Sequence, residues 1–361
     1  MGSVLAGFRL GRPIGRGGNG AVFAADQLSL GREVAIKVLL ADQVGDESAR
    51  LRFERESNLA ASIEHPHIIP IYDAGTAEGW LYIAMKLVRG SDLQQVLSAG
   101  PLEPRRGVTV VSEMAEALDA AHARGLVHRD VKPGNVLLET TATGRQHSYL
   151  ADFGLVRHVS AGSKLTVTGG DLLGTPGYIS PEQVERRDTD ARTDVYALGC
   201  MLYECLTGQL PFGGENYLAL LNAHLNQPPP KVTTARPGLP VALDEVIAKA
   251  MAKSPDDRYA RCGELAREAR SALEASRRTQ FTRLPPLPPP PAGGGAPAPA
   301  PSPSALAPAP KGKPAAAATP GSLPPLAPVV PPAPSRSSRR GAAVVVVAVI
   351  VVVLLLLYLA L

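Results

Sequence analysis

The sequence predicts an α+β chain of two lobes, a small β-rich one followed by a larger α-helical one, and beyond them a spacer and one transmembrane helix. Three observations carry this expectation. Up to about residue 100 of the 361, short apolar runs alternate with glycine-containing turns, the patterning of strands. From residue 106 the apolar spacing changes to that of helices. After Arg283 acidic residues disappear, proline and alanine dominate, and the final twenty residues, AAVVVVAVIVVVLLLLYLAL, carry no charge.

The elements follow in order. LGRPIGRGGNGAVFAAD (10–26) and EVAIKVLL (33–40) read as consecutive strands joined by short turns. ARLRFERESNLAASI (49–63) reads as a charged helix with Leu59 and Ile63 one turn apart on its apolar side. IIPIYDAG (68–75) and WLYIAMKLV (80–88) are strands again, and residues 86–90 are the expected connection between the lobes. RGVTVVSEMAEALDAAHARG (106–125) is a long amphipathic helix, and helices dominate from 180 to 273. Residues 140–148, TTATGRQHS, read as a surface insertion between two hairpin strands.

The formal net charge is +4, yet five of the 37 basic residues lie beyond Arg283 and all 33 acidic ones precede it. The folded part therefore holds 32 basic against 33 acidic residues and offers no basic stripe, which excludes nucleic acid as an expected partner. Three cysteines, Cys200, Cys205 and Cys262, make no disulfide framework and fit a reducing compartment. The N-terminal MGSVLAGFRLG is too short and interrupted for a secretory leader, and Ala6 stands where myristoylation needs serine or threonine.

Residues 284–340 are too poor in apolar side chains to offset their ordering entropy and read as a disordered linker with polyproline II stretches. Within it LPPLPPPP suits a proline-recognising partner. A helix over 342–361 spans roughly 30 Å, about one bilayer core. The SRSSRRG that precedes it places the folded part on the cytoplasmic side. The expected arrangement is a cytoplasmic domain anchored at its end, with no domain across the membrane. The apolar run has no G-x-x-x-G dimer face.

The chemistry-bearing motifs are Gly-rich or charged. Gly15, Gly17 and Gly20 form a G-x-G-x-x-G spacing that lets backbone amides approach phosphate oxygens. A dinucleotide fingerprint opens a helix, whereas GAVFAAD continues as a strand. Lys37 sits in the aliphatic strand VAIKV and reads as reaching back to phosphate; a buried ammonium needs a carboxylate, which Glu56 in the next helix can supply, with Glu54 as its rival. GLVHRDVKPGNVLL (125–138) holds three polar groups at fixed offsets: Asp130 to accept or orient a hydroxyl proton, Lys132 to meet a transferring phosphoryl group, and Asn135 to hold a metal ion. Asp152-Phe153-Gly154 offers a second, acidic metal ligand beside a packing aromatic. Together these are the parts of an in-line phosphoryl transfer.

In this order and spacing the glycine loop, the strand lysine, HRDxKPxN, DFG and GTPGYISPEQ (174–183) resemble those of eukaryotic-type serine/threonine protein kinases, most of all the membrane-anchored bacterial members. The resemblance covers residues 8–273 and implies a bilobal protein kinase fold, ATP and Mg²⁺ as cofactors, and protein serine and threonine hydroxyls as acceptors. It implies that Gly15, Gly17 and Gly20 cover the ATP phosphates and that Ile14, Val22 and Ala35 contact the nucleotide, with Met85 as gatekeeper. Lys37 then pairs the α and β phosphates, held by Glu56, while Asp130 is the catalytic aspartate and Lys132 contacts the γ-phosphate. Asn135 and Asp152 hold Mg²⁺. Thr175, with Lys132, marks Ser/Thr specificity; Glu182 pairs with Arg258; and Asp194 braces the backbone of the catalytic loop.

Two positions depart from the family pattern: Ser180 precedes Pro181-Glu182 where alanine is usual, and Lys86 stands in the hinge where many relatives carry an acidic residue. Arg129 beside Asp130 implies an activation segment ordered by a phosphate. Of Ser160, Ser163, Thr166 and Thr168, the last two are the expected autophosphorylation sites, and a homodimer would serve phosphorylation in trans. A small-molecule phosphotransferase has no use for GTPGYISPEQ. A catalytically weak scaffold that presents its proline-rich tail conflicts with intact Asp130, Asn135 and Asp152.

Overall fold

A computed structural model of the chain describes residues 3–17, 20–39, 47–141, 143–153, 176–214 and 216–282. The chain divides into two units, Met1–Pro288 and Pro289–Leu361, and every described residue belongs to the first. The linker 284–340, the apolar run 342–361, and Gly154, Ser160, Ser163, Thr166, Thr168 and Thr175 lie outside the described residues. Among the described residues no helix is long and apolar enough to cross a membrane.

The small lobe is an antiparallel sheet of six strands: β1 (Val4–Leu5), β2 (Phe8–Gly17), β3 (Gly20–Gln27), β4 (Arg32–Leu39), β5 (Ile71–Ala77) and β6 (Trp80–Met85), in the order β1-β2-β3-β4-β6-β5. Helix α1 (Glu47–Ala61) follows β4 and leads towards β5. Strand β4 shows how the sequence positions chemistry. Side chains alternate between the faces of a strand. Val34 and Ile36 pack with Leu5, Phe8, Ala25, Tyr82 and Ala84 on one face, while Ala35 and Leu39 belong to the main core on the other. Lys37 falls on the face of Ala35 and Leu39, so the strand turns its ammonium inward.

The larger lobe begins with β7 (Gly90–Asp92), α2 (Leu93–Leu97) and α3 (Pro104–His122), then the hairpin β8 (Val136–Thr140) and β9 (Gln146–Leu150), which pairs with β7. Helices α4 (Pro181–Val184), α5 (Ala191–Thr207), α6 (Tyr217–Asn226), α7 (Val232–Ala235), α8 (Ala242–Ala250) and α9 (Cys262–Thr282) complete it. Helix α5 is buried nearly all round from Thr193 to Leu206, the signature of a central core helix. Asp190 caps its start by accepting from the Arg192 amide at 2.8 Å. Gly208, at φ +74°, ends it in the left-handed conformation and returns its N–H to the Glu204 carbonyl at 2.7 Å.

Three boundaries differ from the sequence reading. The insertion expected at 140–148 is strand at four of its nine residues: Glu139 pairs with His147 and Thr140 with Gln146, leaving 141–145 as the turn. Cross-strand pairing, invisible in the polar composition of TTATGRQHS, extends the hairpin. The helical region runs past 273, because α9 continues to Thr282. At the other end, β1 precedes residue 8 and pairs Val4 with Arg9 and Leu5 with Phe8.

Helix α6 buries His224 completely, and its Nδ1 meets the Tyr196 hydroxyl at 3.0 Å. Lys253 Nζ donates to the Ala223 and His224 carbonyls at 3.3 and 2.7 Å. Burial, and then the charge of Lys253, lower the His224 pKa from 6.5 to about 4. The unfolded imidazole takes up its proton first as pH falls, so stability is intact above about 6.5 and declines towards about 4, by on the order of 3 kcal/mol. Urea midpoints of the parent and His224→Gln check this. The variant should lose most of the pH dependence in that window, and an unchanged slope would assign it elsewhere.

Candidate active site

Strand register assembles the nucleotide side of the site. Gly15 pairs with Val22, Val22 with Lys37 and Lys37 with Ile83, forming one row across the sheet. In the next row Ala35 pairs with Met85, and Met85 with Ile71. Ile14 is exposed, at the outer end of this surface. Gly17 pairs with Gly20 at the tip of the β2–β3 hairpin. Gly20 has φ +129°, and a Cβ there would lie 2.2 Å from the Val38 carbonyl oxygen. Gly20→Ala is therefore expected to cost about 1–3 kcal/mol of stability by overpacking. Chemical denaturation checks this, and a neutral result would mean that the hairpin can move away from β4.

Lys37 is 8% exposed, and its Nζ lies 2.8 Å from Asp152 Oδ1. Glu56 is half-buried on α1, and Glu54 faces Arg50 at 4.0 Å. At the hinge the Lys86 amide donates to the Pro70 carbonyl at 2.9 Å, and its Nζ reaches Glu139 Oε2 and the Tyr149 hydroxyl, both at 2.6 Å. Burial opposes the Lys86 charge, but Glu139 and Tyr149 outweigh it and hold the lysine above its ordinary pKa. The hydrogen bond from Lys86 holds Glu139 below the usual carboxylate value. The unusual hinge lysine is thus fastened to the β8–β9 hairpin.

The loop between α3 and β8 carries the reactive groups. Lys132 Nζ donates to Asp130 Oδ2 at 2.7 Å, and Asn135 Nδ2 donates to the Asp130 carbonyl at 2.7 Å and to Oδ2 at 3.1 Å. Both amide hydrogens of Asn135 are therefore directed at Asp130, which turns Asn135 Oδ1 to acceptor duty. The Asn135 carbonyl accepts from the Ala151 amide at 2.9 Å, which ties this loop to the segment carrying Asp152. Asn135 Oδ1 and the Asp152 carboxylate, whose side chain is 35% exposed, are the hard oxygen donors that suit Mg²⁺.

Two residues here hold left-handed backbone, Arg129 at φ +62° and Asp152 at φ +59°. Such conformations cost on the order of 1–3 kcal/mol and persist only where the surroundings hold them. Asp194, at the start of α5, supplies part of that hold. Its Oδ1 accepts from the Arg129 amide at 2.7 Å, and its Oδ2 accepts from the His128 amide at 2.8 Å and from His122 Nε2 at 2.7 Å. His128, to which the sequence reading gave no role, is fully buried; its Nδ1 accepts from the Asp130 amide at 3.2 Å. Its Nε2 therefore carries the proton donated to the Ala151 carbonyl at 3.1 Å, and its ring packs 4.9 Å from that of Phe153. Gln183, also unassigned from sequence, donates to the Arg129 carbonyl at 2.9 Å. The HRD pattern marked His128, but its partners 23 and more residues away were not readable there.

Below the loop, Glu182 and Arg258 form a bidentate pair, Nη1 to Oε1 and Nη2 to Oε2, both at 2.8 Å. Arg258 spends its other N–H groups on the carbonyls of Ala252, Arg192 and Lys253 at 2.7, 2.9 and 3.0 Å, while Thr193 donates to Glu182 Oε1 at 2.7 Å. All five guanidinium donors are satisfied inside the protein. Ser180 precedes Pro181 as the cap of α4; its amide and its hydroxyl both donate to Gln183 Oε1, at 3.1 and 3.2 Å, so the buried serine side chain has a partner at the position where alanine is usual.

A glycine-flanked hairpin, an inward lysine paired to an aspartate, and an aspartate oriented by a lysine and an asparagine are groups that phosphoryl transfer uses. Comparison with known proteins agrees. The protein kinase domain family matches residues 8–271. The chain is 42% identical over 294 residues to the serine/threonine-protein kinase PknE of Mycobacterium tuberculosis, an alignment covering 79% of this chain and 51% of that one. It is 43% identical over 274 residues to the serine/threonine-protein kinase PknJ of Mycobacterium bovis, covering 75% and 46%. The chain thus spans about half the length of the curated relatives it matches. Among solved structures, the PknI kinase domain of Mycobacterium tuberculosis aligns with a TM-score of 0.61 at 33% identity, covering 75% of this chain and 98% of that one. With this coverage, and with the bilobal architecture around it, the chain belongs to the protein kinase family and carries a kinase domain of the bacterial serine/threonine type.

Proposed function

We propose that the domain transfers the γ-phosphate of ATP to serine and threonine hydroxyls of proteins, in bacterial signalling. The observation that carries this is the Asp130 carboxylate, oriented through Oδ2 by Lys132 at 2.7 Å and Asn135 at 3.1 Å. In this reading Asp130 orients the acceptor hydroxyl and takes its proton, and Lys132 meets the transferring phosphoryl group. Lys37 holds the α and β phosphates, while Gly15, Gly17 and Gly20 cover them. Ile14, Val22, Ala35 and Met85 bound the adenine. Asn135 Oδ1 and Asp152 would hold Mg²⁺, which supplies charge neutralisation at the phosphate oxygens. Lys37 pairs with Asp152 at 2.8 Å, so nucleotide entry requires the lysine to share or exchange that partner, with Glu56 as the carboxylate that receives it.

The experiment is ATP-dependent phosphorylation by the full chain with Mg²⁺, using a generic basic protein as acceptor and mass spectrometry to map the sites. Phosphate on Thr166 or Thr168 and on acceptor serines or threonines is the expected result. Absence of both would leave a nucleotide-binding scaffold. The same reading makes Thr175 a structural hydroxyl near Asp130. It also makes 284–340 a spacer able to engage a proline-recognising partner and 342–361 the membrane anchor of a cytoplasmic domain. Tethering raises the effective concentration for phosphorylation between two copies. Autophosphorylation at low bulk concentration should therefore be faster in vesicles than for the chain cut after Arg283, and equal rates would remove the tethering argument.

A further inference from the structure

The last turn of α3 and the first residue of α9 bring three unlike ligand groups together. The donor atoms of Asp119, His122 and Cys262 all lie within 4.8 Å of one another. We propose that these three side chains form a binding site for a divalent cation of the zinc class, with water as the fourth ligand. The site lies outside the phosphoryl-transfer machinery, and its existence does not rest on that reading.

The donor set selects the ion. Thiolate, imidazole and carboxylate are all ligands of Zn²⁺, and a thiolate disfavours Mg²⁺ and Ca²⁺. Bond lengths of roughly 2.0–2.3 Å put the ligand atoms of a tetrahedral site somewhat closer together than 4.8 Å, so modest side-chain rotation closes the set. Asp119 and His122 stand three residues apart on one helix face, and Cys262 arrives from 140 positions later.

A second observation points to a cation. Two carboxylates converge here, Asp119 and the fully buried Asp194, and both press on Cys262. Among the described residues Asp119 accepts from the backbone amides of Cys262 and Gly263, each at 3.0 Å. Asp194 accepts from two loop amides and His122. Among the described residues neither carboxylate has a lysine or arginine side chain paired with it; Asp194 has the His122 imidazole at 2.7 Å, and Asp119 has the N-terminus of α9. With His122 neutral, a dication would supply the full positive charge these two carboxylates lack.

The hydrogen bonding of His122 is compatible with ligation. A carboxylate cannot donate, so the 2.7 Å contact to Asp194 Oδ2 places the ring proton on Nε2. Nδ1 then carries the lone pair, and it has no hydrogen-bond partner among the described residues. A histidine held by a carboxylate on one nitrogen and ligating through the other is the common arrangement in zinc sites. Cys262 is buried, and burial, Asp194 and Asp119 push its thiol well above the ordinary value. Coordination must therefore drive that proton off: the metal–sulfur bond forms as S–H breaks, and the proton leaves to solvent. Because Asp194 also holds the His128 and Arg129 amides, an ion on His122 would stiffen the support of the catalytic loop.

The test uses the full chain, stripped with a chelator and titrated with Co²⁺ alone. One equivalent should produce a thiolate-to-cobalt charge-transfer band together with the visible bands of a tetrahedral site, and Zn²⁺ should bleach both. Cys262→Ser should abolish the charge-transfer band and weaken binding at least tenfold, while Asp119→Asn should weaken binding with the band retained. Zinc absorption-edge spectroscopy of the unaltered chain, which needs no variant to fold, should find one sulfur neighbour at roughly 2.3 Å. No charge-transfer band in the parent, a band that survives Cys262→Ser, or a zinc shell without sulfur would each overturn the site. None of these readouts depends on ATP turnover.

Discussion

Asp130→Asn should lower the turnover number for phosphoryl transfer by about 10²–10⁴-fold, the range for loss of a positioned proton acceptor. Affinity for ATP should change little. The substitution is close to isosteric, and its amide oxygen can still accept from Lys132 and Asn135, which approach Oδ2 at 2.7 and 3.1 Å in the parent. The loop that presents the residue is held elsewhere, by Asp194 on the His128 and Arg129 amides. What disappears, in the proposed reading, is the basicity that takes the acceptor proton. In the proposed reading the nucleotide is held through Lys37 and Asp152, whose pairing the substitution leaves untouched. Single-turnover phosphorylation beside a fluorescent-nucleotide titration separates the two quantities. A variant with full turnover would move the proton-accepting role away from Asp130, and a large loss of ATP affinity would mean that the loop had rearranged.

The second large effect is on folding. Arg258→Ala should destabilise the domain by about 3–5 kcal/mol, because it strands Glu182, only 2% exposed, without its counter-charge. It also leaves the Ala252, Arg192 and Lys253 carbonyls without the donor that now serves them. Burial would raise the Glu182 pKa, but Arg258 first, and then Thr193, outweigh it and hold the carboxyl below its ordinary value. The sign of the pH dependence follows. A carboxylate with a lowered folded pKa contributes stability above its unfolded value and loses it as pH falls through the folded one. The parent should therefore weaken on acidification, whereas Arg258→Ala should lose that trend, since an unpaired buried Glu182 favours its protonated form. Equilibrium urea unfolding at several pH values reads both effects. The pair Glu182→Gln and Arg258→Met, alone and together, measures the coupling directly. A double variant as stable as the parent would show that the ion pair serves specificity more than stability.

Much of the fold was legible because its signals are short-range. Lys37, in the five-residue aliphatic run VAIKV some twenty residues after the glycine loop, reads as reaching back to phosphate, and it falls on the face of Ala35 and Leu39. Asp130, Lys132 and Asn135 fall within six positions, so their mutual contacts are nearly local and the loop sequence announces them. The long helix α3 declared itself by its apolar spacing.

By itself, then, the sequence determined the two-lobed α+β class, the order of the motifs and the chemical type of the site, since each depends on periodicity and near neighbours. Only the tertiary structure decided which distant groups meet. Lys37 finds Asp152 115 positions away, Lys86 reaches Glu139 and Tyr149, and Asp119 caps the start of α9 across more than 140 residues. The length of the β8–β9 hairpin likewise came from pairing partners, not from composition. The physical reason is that strand and helix preferences are set over one or two turns of chain. The partner of a buried charge is instead chosen by whichever packing of whole elements leaves it hydrogen-bonded.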